Sequence, residues 1–278
     1  MTGATATHGS VARRPSTFRG ALDPFRAEWT KVRTVPETGW LVAATAVLTV
    51  AVSTAVVAVT RCAPGTACTA DTTRLTLTGI QVGQAVVAVL AVLAITGEYS
   101  TGMIRTTFSA MPRRFAVLAA KAAVLTGLVL PAAIISVAGC LLAGRAILPG
   151  QGFTTARGIP LLSLAHGPTL RAASGSVLYL ALIGLLALGV ATMVRDSAAA
   201  TGTVLGLLYL APILAAFVAN PTWQRRIERY GPTSAGLTIQ DTAGGHSPIG
   251  PWGGLAVLAI WAAVALLAGG LLLRCRDA

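Results

Sequence analysis

Four windows of 23 residues, Thr38–Thr60, Leu75–Gly97, Ala122–Gly144 and Ala172–Val194, contain no Asp, Glu, Lys or Arg, and a charge closes each window at both ends. A helix rises about 1.5 Å per residue, so each window is long enough to cross a hydrocarbon core of about 30 Å with a little tilt. Two further apolar stretches follow, at 198–219 and 252–273. A backbone in hydrocarbon must satisfy its own hydrogen bonds, which a helix does within each segment. The pattern therefore predicts an all-α membrane protein with six transmembrane helices, at about 40–60, 75–97, 122–144, 172–194, 198–219 and 252–273.

The bulk numbers agree. Only 11% of the chain is charged and 54% is hydrophobic, and six long apolar runs cannot be hidden in the core of a soluble domain this small. A net charge of +12 suggests nucleic acid in a soluble protein. Here the basic residues sit at span ends and in tails, where orientation and anionic lipid account for them, so nucleic-acid binding is not expected.

Orientation follows from Lys and Arg. With the N-terminus inside, the inner segments hold 13 of the 21 basic residues and the outer segments 8, which places both termini on the cytoplasmic side. Arg13-Arg14 looks like a twin-arginine start, but the first apolar run begins about 25 residues later and is too long for a signal sequence. Lys31 and Lys121 are the only lysines; arginine-rich, Ala/Val/Gly-rich usage points to a GC-rich bacterial source and hence a multi-pass protein of a bacterial plasma membrane.

Residues 1–21 read as a disordered basic tail and 22–278 as a single transmembrane domain. Asp23 and Pro24 form a helix start, and Leu22, Phe25, Trp29 and Val32 share one face. Arg26 and Arg33 flank this stripe and can snorkel, and Lys31 belongs to the same segment. The segment is either a juxtamembrane anchor or an interfacial helix lying on the inner leaflet, and the amphipathic pattern favours the latter.

Gln81 and Gln84 lie three residues apart in the second window and share a face. Amides in hydrocarbon need partners, so that face meets either another helix or a wet pathway. The stretch Gly97–Lys121 is the longest polar one on the inner side between spans. Ser100 or Thr101 can cap a short helix that Pro112 stops, with Ile104, Phe108 and Met111 on one face, rimmed by Arg105, Arg113 and Arg114. Such a knob suits a groove on a cytosolic partner, or rests on the membrane surface with its arginines on phosphates.

Pro131 is expected to kink the third span, and Asp196 to cap the fifth after a very short inner turn. Outside, Trp223, Ile227 and Tyr230 form a stripe opposite Arg225 and Arg229, an amphipathic segment at or dipping into the outer interface before the sixth span. Cys62 and Cys68 share the first outer loop, where an oxidising compartment can join them. Cys140 and Cys275 lie in the third span and the inner tail. His166 and His246 lack ligand spacing, so no metal site is expected.

These residues resemble the permease subunits of ABC-2 type transporters of the actinobacterial kind. The resemblance covers most of 28–273 with loose motifs. Glu28–Thr34 is similar to the amphipathic connecting helix of the family, and Gly97-Glu98-Tyr99-Ser100-Thr101-Gly102-Met103-Ile104-Arg105, with Met111-Pro112-Arg113-Arg114 and Lys121, is similar to its inner loop after span two. The stretches Leu170–Ala173, Arg195 with Ala198–Ala200, and Trp223–Leu237 also resemble the family, the last its outer re-entrant region.

The resemblance implies a coupling helix at Thr101–Met111 that docks on a separate cytosolic ATPase, and a second permease chain, identical or different. ATP and magnesium would belong to the ATPase, since this chain has no G-x-x-x-x-G-K-[ST] and needs no cofactor of its own. Glu98, at the junction of span and coupling helix, either transmits the push or merely marks the membrane edge. Export of a small hydrophobic or amphipathic compound is the implied activity; the alternative is a non-transporting sensor or immunity subunit that recruits the ATPase. An enzyme is not expected, because the windows carry no charge, no histidine and no H-E-x-x-H.

Overall fold

The computed structural model describes residues 36–62, 71–100, 114–153, 167–217, 220–243 and 249–275. Among these residues there is no strand, and six helices are long and apolar enough to cross a membrane. The long helices are α1 (Pro36–Val59), α3 (Ile80–Ser100), α4 (Arg114–Ile147), α5 (Gly167–Val194) and α10 (Pro251–Cys275). The fifth crossing is composite: α6 (Ser197–Leu205), a π-helical turn at Gly206–Leu210, and α7 (Ala211–Phe217). Short helices α2 (Thr72–Thr76), α8 (Pro221–Tyr230) and α9 (Pro232–Leu237) gather at one end, called here the capped end. The far end carries Ser100, Arg114, the α5–α6 turn and Cys275.

Helix α5 is the axis of the bundle, packed against α3, α4, α6 and α10, while α1 lies outside against α3 and α4. On α1 the polarity is inverted relative to a helix of a soluble protein. Thr45, Thr49 and Ser53, four residues apart on one face of α1, are buried, whereas Trp40 is 77% exposed and Val47 and Val59 also face outward. Water would drive the opposite arrangement; lipid permits this one, because packing and hydrogen bonds hold membrane helices together. The chain is a multi-pass membrane protein.

The seam inside α1 shows how closely the backbones approach. The Ser53 hydroxyl accepts from the Gly79 amide at 2.9 Å and from the Cys140 thiol at 3.2 Å. A Cβ on Gly79 would overlap the Thr49 carbonyl, and one on Gly83 the Thr49 hydroxyl. Small residues on α3 are therefore required where α1 crosses.

Two of the span boundaries that differ from the charge-free windows have an evident physical reason. The second helix starts at Ile80, not Leu75: Asp71 caps the separate helix α2 through the Thr73 and Arg74 amides, each at 3.1 Å, and the chain turns before Gly79. The third helix starts at Arg114 and not at Ala122, so Lys121 lies inside it. Lys121 is only 5% exposed and has an interaction partner within the protein. A single long-stemmed charge can sit within a helix bundle, so a rule based on uncharged windows cuts the helix short.

The fifth span is broken by its π-turn, and Pro212 supplies the reason: it cannot donate to Leu208, and its ring crowds that turn. Helix α4 continues through Pro131. Asp196 caps α6 as expected, accepting from the Ala199 amide at 2.7 Å, and Arg195 before it takes a left-handed φ of 64° to make the tight turn.

Candidate functional site

Two helix periods decide where the polar groups of α3 fall. Gln81 and Gln84 come one turn apart at its capped end, and each meets a tyrosine from a different span. The Tyr179 hydroxyl of α5 donates to Gln84 Oε1, and the Tyr209 hydroxyl, carried on the π-turn, donates to the Gln81 backbone carbonyl. Gln84 and Tyr179 are both 0% exposed. From the capped end, Thr233 of α9 faces the Tyr179 hydroxyl. Two buried atoms here, Gln84 Nε2 and Thr233 Oγ1, lack a hydrogen-bond partner.

The depth of this cluster follows from helix registers. Tyr179 lies 12 residues into α5 and Gln84 only four into α3, so α5 outruns α3 by about 12 Å at this end. The space above α3 is filled by α2, α9 and the 3₁₀ turn Thr238–Gln240. Glycines admit this cover. A Cβ on Gly236 would meet the Tyr179 ring at 2.6 Å, and one on Gly254 would overlap the Ala235 carbonyl.

The cover is tied down by side chains of the 3₁₀ turn, of α5 and of the segment before α2. Gln240 Nε2 donates to Ser176 Oγ at 3.1 Å, and Arg171 Nη2 to the Asp241 carbonyl at 2.5 Å. The Asp71 carboxylate, besides capping α2, accepts from the Thr242 amide at 2.5 Å, the Thr242 hydroxyl at 2.7 Å and the Ala243 amide at 3.0 Å. One carboxylate thus joins the segment before α3 to the segment before α10. Trp261 Nε1 of α10 donates to the Tyr230 carbonyl at 2.9 Å, which sets the inner end of α8 against the tenth residue beyond Pro251.

Chemically, the cluster offers amides, hydroxyls and a carbonyl with no carboxylate or imidazole among them. It can bind polar groups and hold helices together, and it has no general acid or base suited to neutral pH.

The other residues singled out from the sequence fall elsewhere. Glu98 and Tyr99 lie in the last turn of α3 at the far end, and Arg114 opens α4. Thr101, Gly102, Ile104, Arg105, Phe108, Met111, Pro112 and Arg113 lie outside the described residues, as do Phe25, Trp29, Lys31, Arg33 and Cys68. Cys62 is disulfide-bonded, while Cys140 and Cys275 are free thiols. At the far end, Arg274 of α10 stacks over the Phe115 ring at 4.8 Å, in a notch left by Gly270.

Sequence reasoning missed Tyr179, Tyr209, Asp71 and the burial of Lys121. The signal for the tyrosines was present: two of the four tyrosines stand within apolar runs, and a buried phenol needs a partner. No protein-family model matches this chain, and no curated protein matches it.

Proposed function

We propose that this chain is the membrane permease subunit of an ABC-2 type transporter, acting with a second permease chain and driven by a separate cytosolic ATPase, to export a small hydrophobic or amphipathic compound. The observation that carries this reading is the placement of Gly97–Lys121, the stretch that resembles the family's coupling loop. It leaves α3 and enters α4 at the far end of a six-helix bundle, opposite the cover built from α8 and α9.

The far end is the cytoplasmic one in this reading. The sequence assigns 13 of its 21 basic residues to the segments expected on that side, and the disulfide at Cys62 belongs to the capped end, on the side where disulfides persist. Helices α8 and α9 then form the re-entrant segment on the outer side.

Helix α3 makes the reading mechanical. Its 21 residues span about 30 Å. Its cytoplasmic end carries Glu98 into the coupling segment, and its outer end carries Gln81 and Gln84 to the tyrosines of α5 and the fifth span. A push delivered at Ser100 arrives at the Tyr209 and Tyr179 hydrogen bonds as a displacement of a rigid rod. ATP-bound and ATP-free partner states bias the bundle only through different affinities for the coupling segment.

The test is uncoupling. Glu98→Ala, or Gly-Ser replacement of Ile104 and Phe108, leaves membrane insertion intact and abolishes export while ATP hydrolysis continues. Normal export by both variants overturns the coupling assignment.

A further inference from the structure

Helix α8 carries Arg225, Arg226 and Arg229 on exposed positions within five residues, with one acidic residue among them, Glu228, engaged by Gln224 Nε2 at 3.4 Å, and Arg225 has an interaction partner of its own within the protein. Two of these guanidiniums lie over neighbouring rings, Arg226 at 5.4 Å from the Trp223 centroid and Arg229 at 5.8 Å from that of Tyr230. Asn220 caps the helix through the Thr222 amide at 2.9 Å and Pro221 opens it, so this arrangement is built on a regular element.

The surroundings of α8 are lipid-facing. It packs on α7, whose Ile213, Leu214 and Phe217 are exposed, Phe217 by 82%, and its inner end rests on Trp261, beside exposed Ile260 and Val264. Depth is set by two tryptophans of α10. Exposed Trp252 stands in the first turn, where an interfacial aromatic belongs. Trp261, which holds the Tyr230 carbonyl, lies nine residues further along the helix, or about 13 Å. Arg229, next to Tyr230, therefore lies at that level beside an apolar surface.

The guanidiniums of Arg226 and Arg229 at that depth require anions, and their stems reach back toward the interface. The anions that line a bilayer edge are lipid phosphates. We propose that α8 is a binding surface for the headgroup phosphates of anionic phospholipids in the leaflet at the capped end, with Trp223 and Tyr230 as interfacial anchors. This inference requires a bilayer around the bundle and does not depend on transport.

The experiment uses the full chain reconstituted in phosphatidylcholine vesicles carrying trace spin-labelled phosphatidylglycerol or phosphatidylcholine, with the protein-immobilised fraction of each lipid as readout. Wild type selects phosphatidylglycerol. The double variant Arg226→Gln, Arg229→Gln loses this selectivity by on the order of fivefold per arginine, and the double Arg→Lys variant keeps most of it. Arg145→Gln, a change at the same end off this helix, leaves it unchanged. Equal immobilisation of both lipids by wild type overturns the proposal, as does selectivity that survives in the glutamine variant. A loss on adding inorganic phosphate that chloride at matched ionic strength does not reproduce assigns the arginines to a soluble phosphate and also overturns it.

Discussion

The Tyr179 hydroxyl on α5 donates to the Oε1 of Gln84 on α3, joining the central helix of the bundle to the helix that runs to the far end. Both side chains are fully buried, so neither finds water if the bond is broken. Removing one partner leaves an unpaired buried polar atom, whereas removing both leaves none.

Tyr179→Phe is therefore expected to lower stability by about 1–2 kcal/mol. Combining it with Gln84→Met costs less than the sum of the two single changes. Thermal unfolding of the purified variants in detergent measures this, and strict additivity would show that the two side chains do not interact.

Glycine substitutions separate tight from open positions. Gly254→Ala places a Cβ against the Ala235 carbonyl and Thr238 Oγ1 and costs about 2 kcal/mol or more by pushing α9 off α10. Gly202→Ala, in α6 with nothing within 4 Å of its added Cβ, is neutral or stabilising by up to about 1 kcal/mol. The same melting assay reads both.

Asp71→Asn tests the cover. Each carboxylate oxygen accepts two or more N–H or O–H groups, and an amide must turn its NH₂ toward one of these donor sets. The loss is about 2 kcal/mol. Limited proteolysis with trypsin, cutting near Arg225–Arg229, should become faster before the melting temperature of the bundle falls by a comparable fraction.

Orientation has a direct readout in the free thiols. Cys275 is exposed at the far end and Cys140 is buried between α1 and α4. In intact cells a membrane-impermeant maleimide labels neither. In opened membranes it labels Cys275 alone. Labelling of Cys275 from outside reverses the assigned topology.

Much of the architecture is legible in the sequence because local rules decide it. Charge-free windows locate the spans, Asp196 announces its cap, and the spacing of Gln81 and Gln84 puts both on one face. What was missed comes from partners far apart in the chain. Tyr179 is 95 residues from Gln84, Tyr209 is 128 from Gln81, and Asp71 is 171 from Thr242. No periodicity reports such pairings. The late start of α3 was hidden for a related reason, since Gly79, just before it, meets the α1 backbone and Ser53 only once the two segments are packed together. Pro212 was passed over in the sequence, where 198–219 reads as one span, and that its disruption is a π-turn presenting Tyr209 to α3 depends on both helices being in place.

The central claim is that this chain works as the permease of an ATP-driven transporter. Mild-detergent extraction of the tagged full-length chain from its native membranes, with identification of whatever co-purifies, tests it most directly. A stoichiometric ATP-binding subunit, lost when Ile104 and Phe108 are replaced by Gly and Ser, is the predicted result. An intact, monodisperse chain with no ATPase attached would contradict it.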